Sequence, residues 1–367
     1  MNVSASSGLC SLPEDVAINC LAKVSRFDLA VLAMSSKSHR ALVSSPKLLE
    51  QRRRMGCMEP CLYVCLQISG NPRWFVLNPH HRRLNPIIPW NPSQAPELSS
   101  FVVVDGGIYV LGGLINGRRT SDVWFLDCST HTWNRAPSMK KPRASASANL
   151  IDGKIYVCGG CREEEAIATH WVDVFDLKSQ TWGTCFSPKM TRSSFHQSAV
   201  IEEEKTVYAV NKEGEGYYMC PSKKWEGTWG VRRDPFSGTR EDWCATRKVL
   251  FCRAPAGRIL WCDPHDFHWI QVNGVDAYHE FRWKQVEGLE AYCAIQICRL
   301  CTNSAGNIVI FWKVSPRLLW SAEISLQRVA GEIWGKVEWS DAVFKLDDTF
   351  SSGFQVLYSA SVLVSAK

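Results

Sequence analysis

The feature that most constrains this chain is a block that occurs twice in succession. Ile108-Tyr109-Val110-Leu111-Gly112-Gly113 returns 47 residues later as Ile155-Tyr156-Val157-Cys158-Gly159-Gly160. Asp122-Val123-Trp124-Phe125-Leu126-Asp127 has its counterpart in Asp173-Val174-Phe175-Asp176, and Thr132-Trp133 in Thr181-Trp182. A proline, a methionine and an arginine follow each tryptophan: Pro137, Met139 and Arg143, then Pro188, Met190 and Arg192. Self-similarity at this period marks a repeat architecture, in which one unit cannot bury its apolar face alone and needs a neighbour on either side.

Each unit reads as a four-stranded blade. The apolar run before each glycine pair is a strand, and Gly112, Gly113, Gly159 and Gly160 supply positive φ and room for a neighbouring backbone. Trp133 and Trp182 open the fourth strand of their units, where a large ring packs between blades. Clear units cover about 101–145 and 146–194, and eroded ones follow. A third unit passes through Thr206–Val210, Gly216–Met219 and Trp225, with Asn211-Lys212 in place of the glycines. A fourth runs through Val249–Cys252, Ile259–Asp263 and Trp269, and a fifth through Asn307–Trp312 and Trp320–Leu326. Cys61–Ile68 and Trp74–Leu77 precede the first clear unit, and pairing with strands near Val343–Leu346 would close the ring and protect its edges. Dividing residues 57–367 by the 47-residue step predicts six blades, with seven as the alternative. The glycine and tryptophan pattern resembles the kelch repeat, which implies an all-β kelch β-propeller.

Residues 1–10 read as a flexible N-terminus, and residues 11–56 as a small all-α module of three or four short helices. Ser11-Leu12-Pro13-Glu14 has capping-box spacing, and Ala17, Leu21 and Val24 continue an apolar stripe behind it. A second helix is expected near Asp28, a third segment ends near Val43, and Ser45-Pro46 opens a fourth that ends at Arg52-Arg53-Arg54 and Gly56. So small a unit completes its burial against a partner or the next domain. The order Leu12-Pro13-Glu14-Asp15, Leu21, Leu29, Leu32, Ser36-Lys37, Arg40, Leu42 and Ser45-Pro46 resembles the F-box, and the whole chain resembles the plant kelch-repeat F-box proteins. That resemblance implies docking on a Skp-type adaptor, and through it a cullin, by Leu12, Pro13, Leu21, Leu29 and Leu32. Ser35 and His39 depart from the pattern, standing where valine and an aromatic are usual, and each exchange could forfeit about 1 to 2 kcal/mol of burial at the adaptor.

Charge and thiol usage narrow the function classes. Net charge is +6, but residues 1–56 hold eight Lys and Arg against four Asp and Glu, so the larger part is nearly neutral. That balance argues against a nucleic-acid protein, whose footprint is a dense basic face. No signal peptide and no run of 18 apolar residues is present, so a soluble protein of cytoplasm or nucleus, with no membrane partner, is expected. The sixteen cysteines are then free thiols. Cys158-Gly159-Gly160-Cys161 and Cys298-Arg299-Leu300-Cys301 have C-x-x-C spacing, but the first brackets a glycine pair and they lie 137 residues apart, so no metal is expected. The nine histidines fall in no ligand spacing, and neither a G-x-S-x-G elbow nor a Walker loop occurs. Kelch propellers include secreted copper oxidases, but nothing here marks export, and no cofactor or catalytic residue is expected.

The resemblance therefore implies a non-catalytic receptor of an SCF-type ubiquitin ligase, its propeller holding a protein substrate. In kelch blades the loop after the glycine pair and the turn between units emerge on one face, which here would show Arg118, Arg119, Arg143, Arg162 with Glu163–Glu165, and Arg192. A kelch interaction scaffold without ubiquitin coupling is the alternative.

Overall fold

The computed structural model describes residues 9, 12–88, 95–161, 172–185, 195–211, 216–220, 240–263, 284–292, 295–347, 349–350 and 353–365. Four helices come first: α1 (Glu14–Leu21), α2 (Arg26–Ser35), α3 (Lys37–Val43) and α4 (Pro46–Arg54). Ser25, Ser36 and Ser45 cap the last three, each side-chain oxygen accepting a backbone N–H from Asp28, His39 or Lys47. The capping box expected at α1 is not made. Ser11 lies outside the described residues, and the cap position belongs to Pro13, which has no side-chain acceptor. Left-handed Gly56 ends α4, and only three residues separate that helix from the first strand. The module has its own small core of Ile18, Leu21, Ala22, Leu29, Val43 and Leu48.

Antiparallel sheets make up the rest. The first holds β1 (Met58–Ile68), β2 (Asn71–Asn78) and β3 (Arg83–Pro86). The second contains β4 (Ser100–Val104) and β5 (Gly107–Leu111), then a small separate hairpin of β6 (Leu114–Ile115) and β7 (Arg118–Arg119), and finishes with β8 (Val123–Asp127) and β9 (Thr132–Ala136). The third is β10 (Ser147–Ile151), β11 (Lys154–Cys158), β12 (Val172–Asp176) and β13 (Thr181–Cys185). A three-stranded sheet follows, β14 (Phe195–Ile201), β15 (Thr206–Asn211) and β16 (Gly216–Met219). Next come β17 (Glu241–Thr246), β18 (Val249–Arg253), β19 (Ile259–Cys262) and β20 (Lys284–Gln285). After them stand β21 (Ile297–Thr302), β22 (Ile308–Ser315), β23 (Leu318–Val329) and β24 (Glu332–Lys345). The last strand, β25 (Phe354–Ser365), returns to the first sheet and runs along β1, with Met58 opposite Ser365 and Ile68 opposite Phe354.

The molecule is a β-propeller. Its inner strands touch in the order β4, β10, β14, β17, β21, β25 and back to β4, and a separate apolar cluster fills each seam between neighbouring sheets. Against the expected six or seven blades, five are complete four-stranded sheets among the described residues, and the eroded third unit gives three strands. The strand that closes the ring also differs from expectation. Val343 and Phe344 belong to β24, where Phe344 faces Leu319, and Val343 packs into the seam beside Val64 and Phe75 instead of pairing with β1. β25 takes that place because it offers eleven aligned partners along β1.

The glycine pairs turn where backbones crowd. A Cβ on Gly112 (φ +60°) would lie 2.3 Å from the Arg143 carbonyl oxygen, and one on Gly160 (φ +72°) 2.7 Å from that of Ala144. The four sheets without a glycine pair solve the same bend differently. Near the same end of the inner strand each carries a bulge: at His196, at Asp242-Trp243, at Cys298 and at Leu357. A bulge inserts an unpaired residue and sharpens the local twist.

Candidate functional site

Two surfaces could engage partners, one on the helices and one on the propeller. On the helices, Leu12 and Pro13 are exposed, and Leu32 is half-buried. Leu21 and Leu29 are not available as the adaptor contacts expected of them, because at 2% and 0% exposure they fill the module's own core. Among the described residues of the module, Leu12, Val16, Val31 (62% exposed), Met34 (73%) and Met55 are the large apolar side chains left in water. Val31 and Met34 stand three apart on α2 and so share a helix face. The leucine spacing alone could not separate the inward face from the outward one in helices this short.

Ser35 and His39 form a pair. The Ser35 hydroxyl donates to the Leu32 carbonyl at 2.7 Å, which leaves His39 Nδ1, 2.8 Å from Ser35 Oγ, to donate to that hydroxyl oxygen. That arrangement places the ring proton on Nδ1. The two departures from the F-box pattern are thus bonded to one another across the α2–α3 junction.

On the propeller, β5 and β11 end in the glycine pairs, so those pairs and the β6–β7 hairpin lie at one end of the blades. The β8–β9 turn and the start of β1 lie at the other end, because successive strands alternate in direction. Arg118 and Arg119 stand exposed on the hairpin, and Arg119 Nε donates to the Gly160 carbonyl at 3.0 Å. Exposed Leu98 and Ile115 flank them, Leu98 with a left-handed φ of +57°. Arg162, Glu163–Glu165 and Arg192 lie outside the described residues.

Arg143 does not belong to this surface. It is 1% exposed, its Nε and Nη2 donate to Asp173 Oδ2 at 3.1 and 3.0 Å, and its Nη1 donates to the Gly159 carbonyl. The side chain clamps one repeat to the next, and removing one partner of such a buried pair costs about 3 to 5 kcal/mol. A sequence reading sees a charge in a turn between repeats; the aspartate that draws it inward lies 30 residues further on.

The tryptophans hold neighbouring blades. Trp133 meets Trp74 of the preceding blade edge to face, centroids 5.9 Å apart, and Trp182 Nε1 donates to the Pro137 carbonyl at 2.7 Å. Between the inner strands runs a central channel of about 1400 Å³. Its polar side chains bond across strands: Ser147 and Ser198 hydroxyls lie 2.7 Å apart, and Asp242 accepts from Arg299 Nη1 at 2.8 Å. Burial pushes the thiols of Cys298 and Cys301 up to about 11, so both are protonated at neutral pH and poor nucleophiles. Among the described residues no three His, Cys, Asp or Glu side chains converge as metal ligands, and no helix is long and apolar enough to cross a membrane.

Comparison with known proteins agrees with this two-part geometry. Residues 74–344 match the family model described as FKB95, Kelch-repeats domain, and residues 9–51 match that of the F-box domain. Two F-box/kelch-repeat proteins of Arabidopsis thaliana are each 33% identical to the chain, one over 96% of this chain and 94% of its own length, the other over 91% of both. A third from the same plant is 41% identical over 58% of this chain and 82% of its own length.

Proposed function

Since the chain belongs to the F-box/kelch-repeat family, we propose that it is the substrate-recognition subunit of an SCF-type ubiquitin ligase. Residues 11–56 dock a Skp-type adaptor, and through it a cullin; residues 57–367 hold a protein for ubiquitination and degradation. The three-stranded sheet β14–β16 serves as the sixth blade of that ring, since β14 touches β10 on one side and β17 on the other. The chain contributes no catalytic group, because transfer chemistry belongs to the machinery that the cullin brings.

The observation that carries this reading is the pattern of exposure on the helices. A module with a closed core of its own still leaves Leu12, Val16, Val31 and Met34 in water, and burying one such side chain at a partner is worth about 1.5 to 3 kcal/mol. The substrate face is the glycine-pair end of the propeller, where Arg118 and Arg119 beside Leu98 and Ile115 suit an acidic segment with an apolar residue. One observation favours a kelch scaffold without ubiquitin coupling: the polar Ser35–His39 pair occupies part of the helical surface an adaptor would cover.

Co-purification with a Skp-type adaptor and cullin tests the reading. The intact chain is expected to hold both, and a Leu12→Ala, Pro13→Ala double substitution to lose them. A chain that ignores the adaptor under gentle conditions would leave the scaffold.

A further inference from the structure

The start of α2 is fastened into the propeller. Ser25 caps the helix, and the Arg26 backbone N–H points out of its N-terminus at Glu59 of β1, donating to both carboxylate oxygens at 3.0 and 3.1 Å. Glu59 also accepts from Arg52 Nη2, and Arg52, 1% exposed in α4, donates its other terminal nitrogen to the Val24 carbonyl. One carboxylate therefore joins two helices to the first blade.

The Arg26 side chain goes deeper, into the seam between the first and second blades. Its Nη1 donates to the Cys128 carbonyl at 2.6 Å and to the Tyr63 hydroxyl at 3.0 Å, and its Nη2 donates to His131 Nε2 at 2.8 Å. The Tyr63 hydroxyl in turn donates to the Cys128 carbonyl at 2.8 Å, so β1 and the β8–β9 turn are bonded to each other as well as to the arginine. Phe27, the next residue, packs against the apolar cluster that holds Tyr63, Cys128 and Val362. A flexible tether needs none of these contacts; a planar fork with donors on three fixed acceptors defines an orientation.

We propose that Arg26 is a positioning residue that locks the helical module in one orientation on the propeller. The joint sits at the end of the blades opposite the glycine pairs. A partner on the helices and a partner on the glycine-pair face are therefore held at a set separation, which keeps their effective concentration high where a loose joint would dilute it. The bearing of this on ubiquitin transfer rests on the receptor reading above; the lock itself does not.

Arg26→Ala and Arg26→Lys in the full chain test it, with and without the Skp-type adaptor, by the rate of proteolytic cleavage at residues 55–57 and by small-angle scattering. Both variants are expected to be cut at least tenfold faster than the parent and to show a broader distribution of dimensions, while binding adaptor within twofold of it. Lysine fails with alanine because a single ammonium cannot reach all three acceptors. Should Arg26→Ala not fold, His131→Ala removes one acceptor and is expected to raise cleavage by a smaller factor. Cleavage and scattering unchanged in the folded variants would overturn the lock. Absence of adaptor binding in the parent would instead remove the receptor reading, with cleavage and scattering still deciding the lock.

Discussion

His131 makes the interdomain joint sensitive to acid. Burial first, and then the adjacent Arg26 guanidinium, bring its pKa down to about 4, with Asp127 opposing them only in part. Nε2 must stay unprotonated to accept from Arg26. In the unfolded chain the ring titrates near 6.5, so as pH falls below that value the unfolded state takes up a proton that the folded state refuses. The stabilisation is complete above pH 6.5 and is lost as pH falls towards 4. Melting temperatures between pH 7.5 and 4.5 should drop more steeply for the parent than for His131→Asn, whose amide oxygen keeps an acceptor without a proton site; parallel curves would contradict this. None of it was legible in the sequence. His131 follows Arg26 by 105 residues, and neither position carries a local pattern.

The helical elements divide their apolar side chains between a closed core and an open face, and substitution distinguishes the two. Met34→Asp should leave the melting temperature within about 2 °C, as surface changes do, and weaken adaptor capture at least tenfold, about 1.4 kcal/mol. Leu29→Asp places a charge in the core and should cost about 3 kcal/mol or more, read as loss of helical circular dichroism in the module. Equal behaviour of the two would mean that α2 does not present the face described. Much at this scale was readable beforehand. The serine ahead of Pro46 announced a helix start, because a side-chain acceptor there satisfies backbone donors that the helix leaves orphaned; the cap that Ser36 gives the third helix was not read. The strands of the eroded units were readable too, from their apolar runs. Their blade ends were not. In the four sheets that lack Gly-Gly, the bend comes from bulges at His196, Asp242-Trp243, Cys298 and Leu357, and these bulged residues share no residue type that would mark them in the sequence.

For the whole molecule, stability depends on a ring closed by two segments from opposite ends of the chain. β25 pairs with β1 over eleven residues, and the same blade receives Arg26, Phe27 and Arg52 from the helices. Ending the chain after Gly353 should therefore uncouple more than one blade. Expected are aggregation during purification and loss of a single cooperative melt. The sequence was sufficient to infer a closed ring, because blades cannot stand alone; it placed the closing strand too early, since the apolar residues Val343 and Leu346 serve a seam and not a ladder. This closure also sets a schedule for synthesis. About 290 residues separate the two halves of the closing blade, so at roughly 5 to 20 residues per second β1 waits on the order of 15 to 60 s beside the ribosome before its partner is made. During that interval the helices can already fold on a blade with a bare edge, and a chaperone able to cover one strand would have its clearest work there.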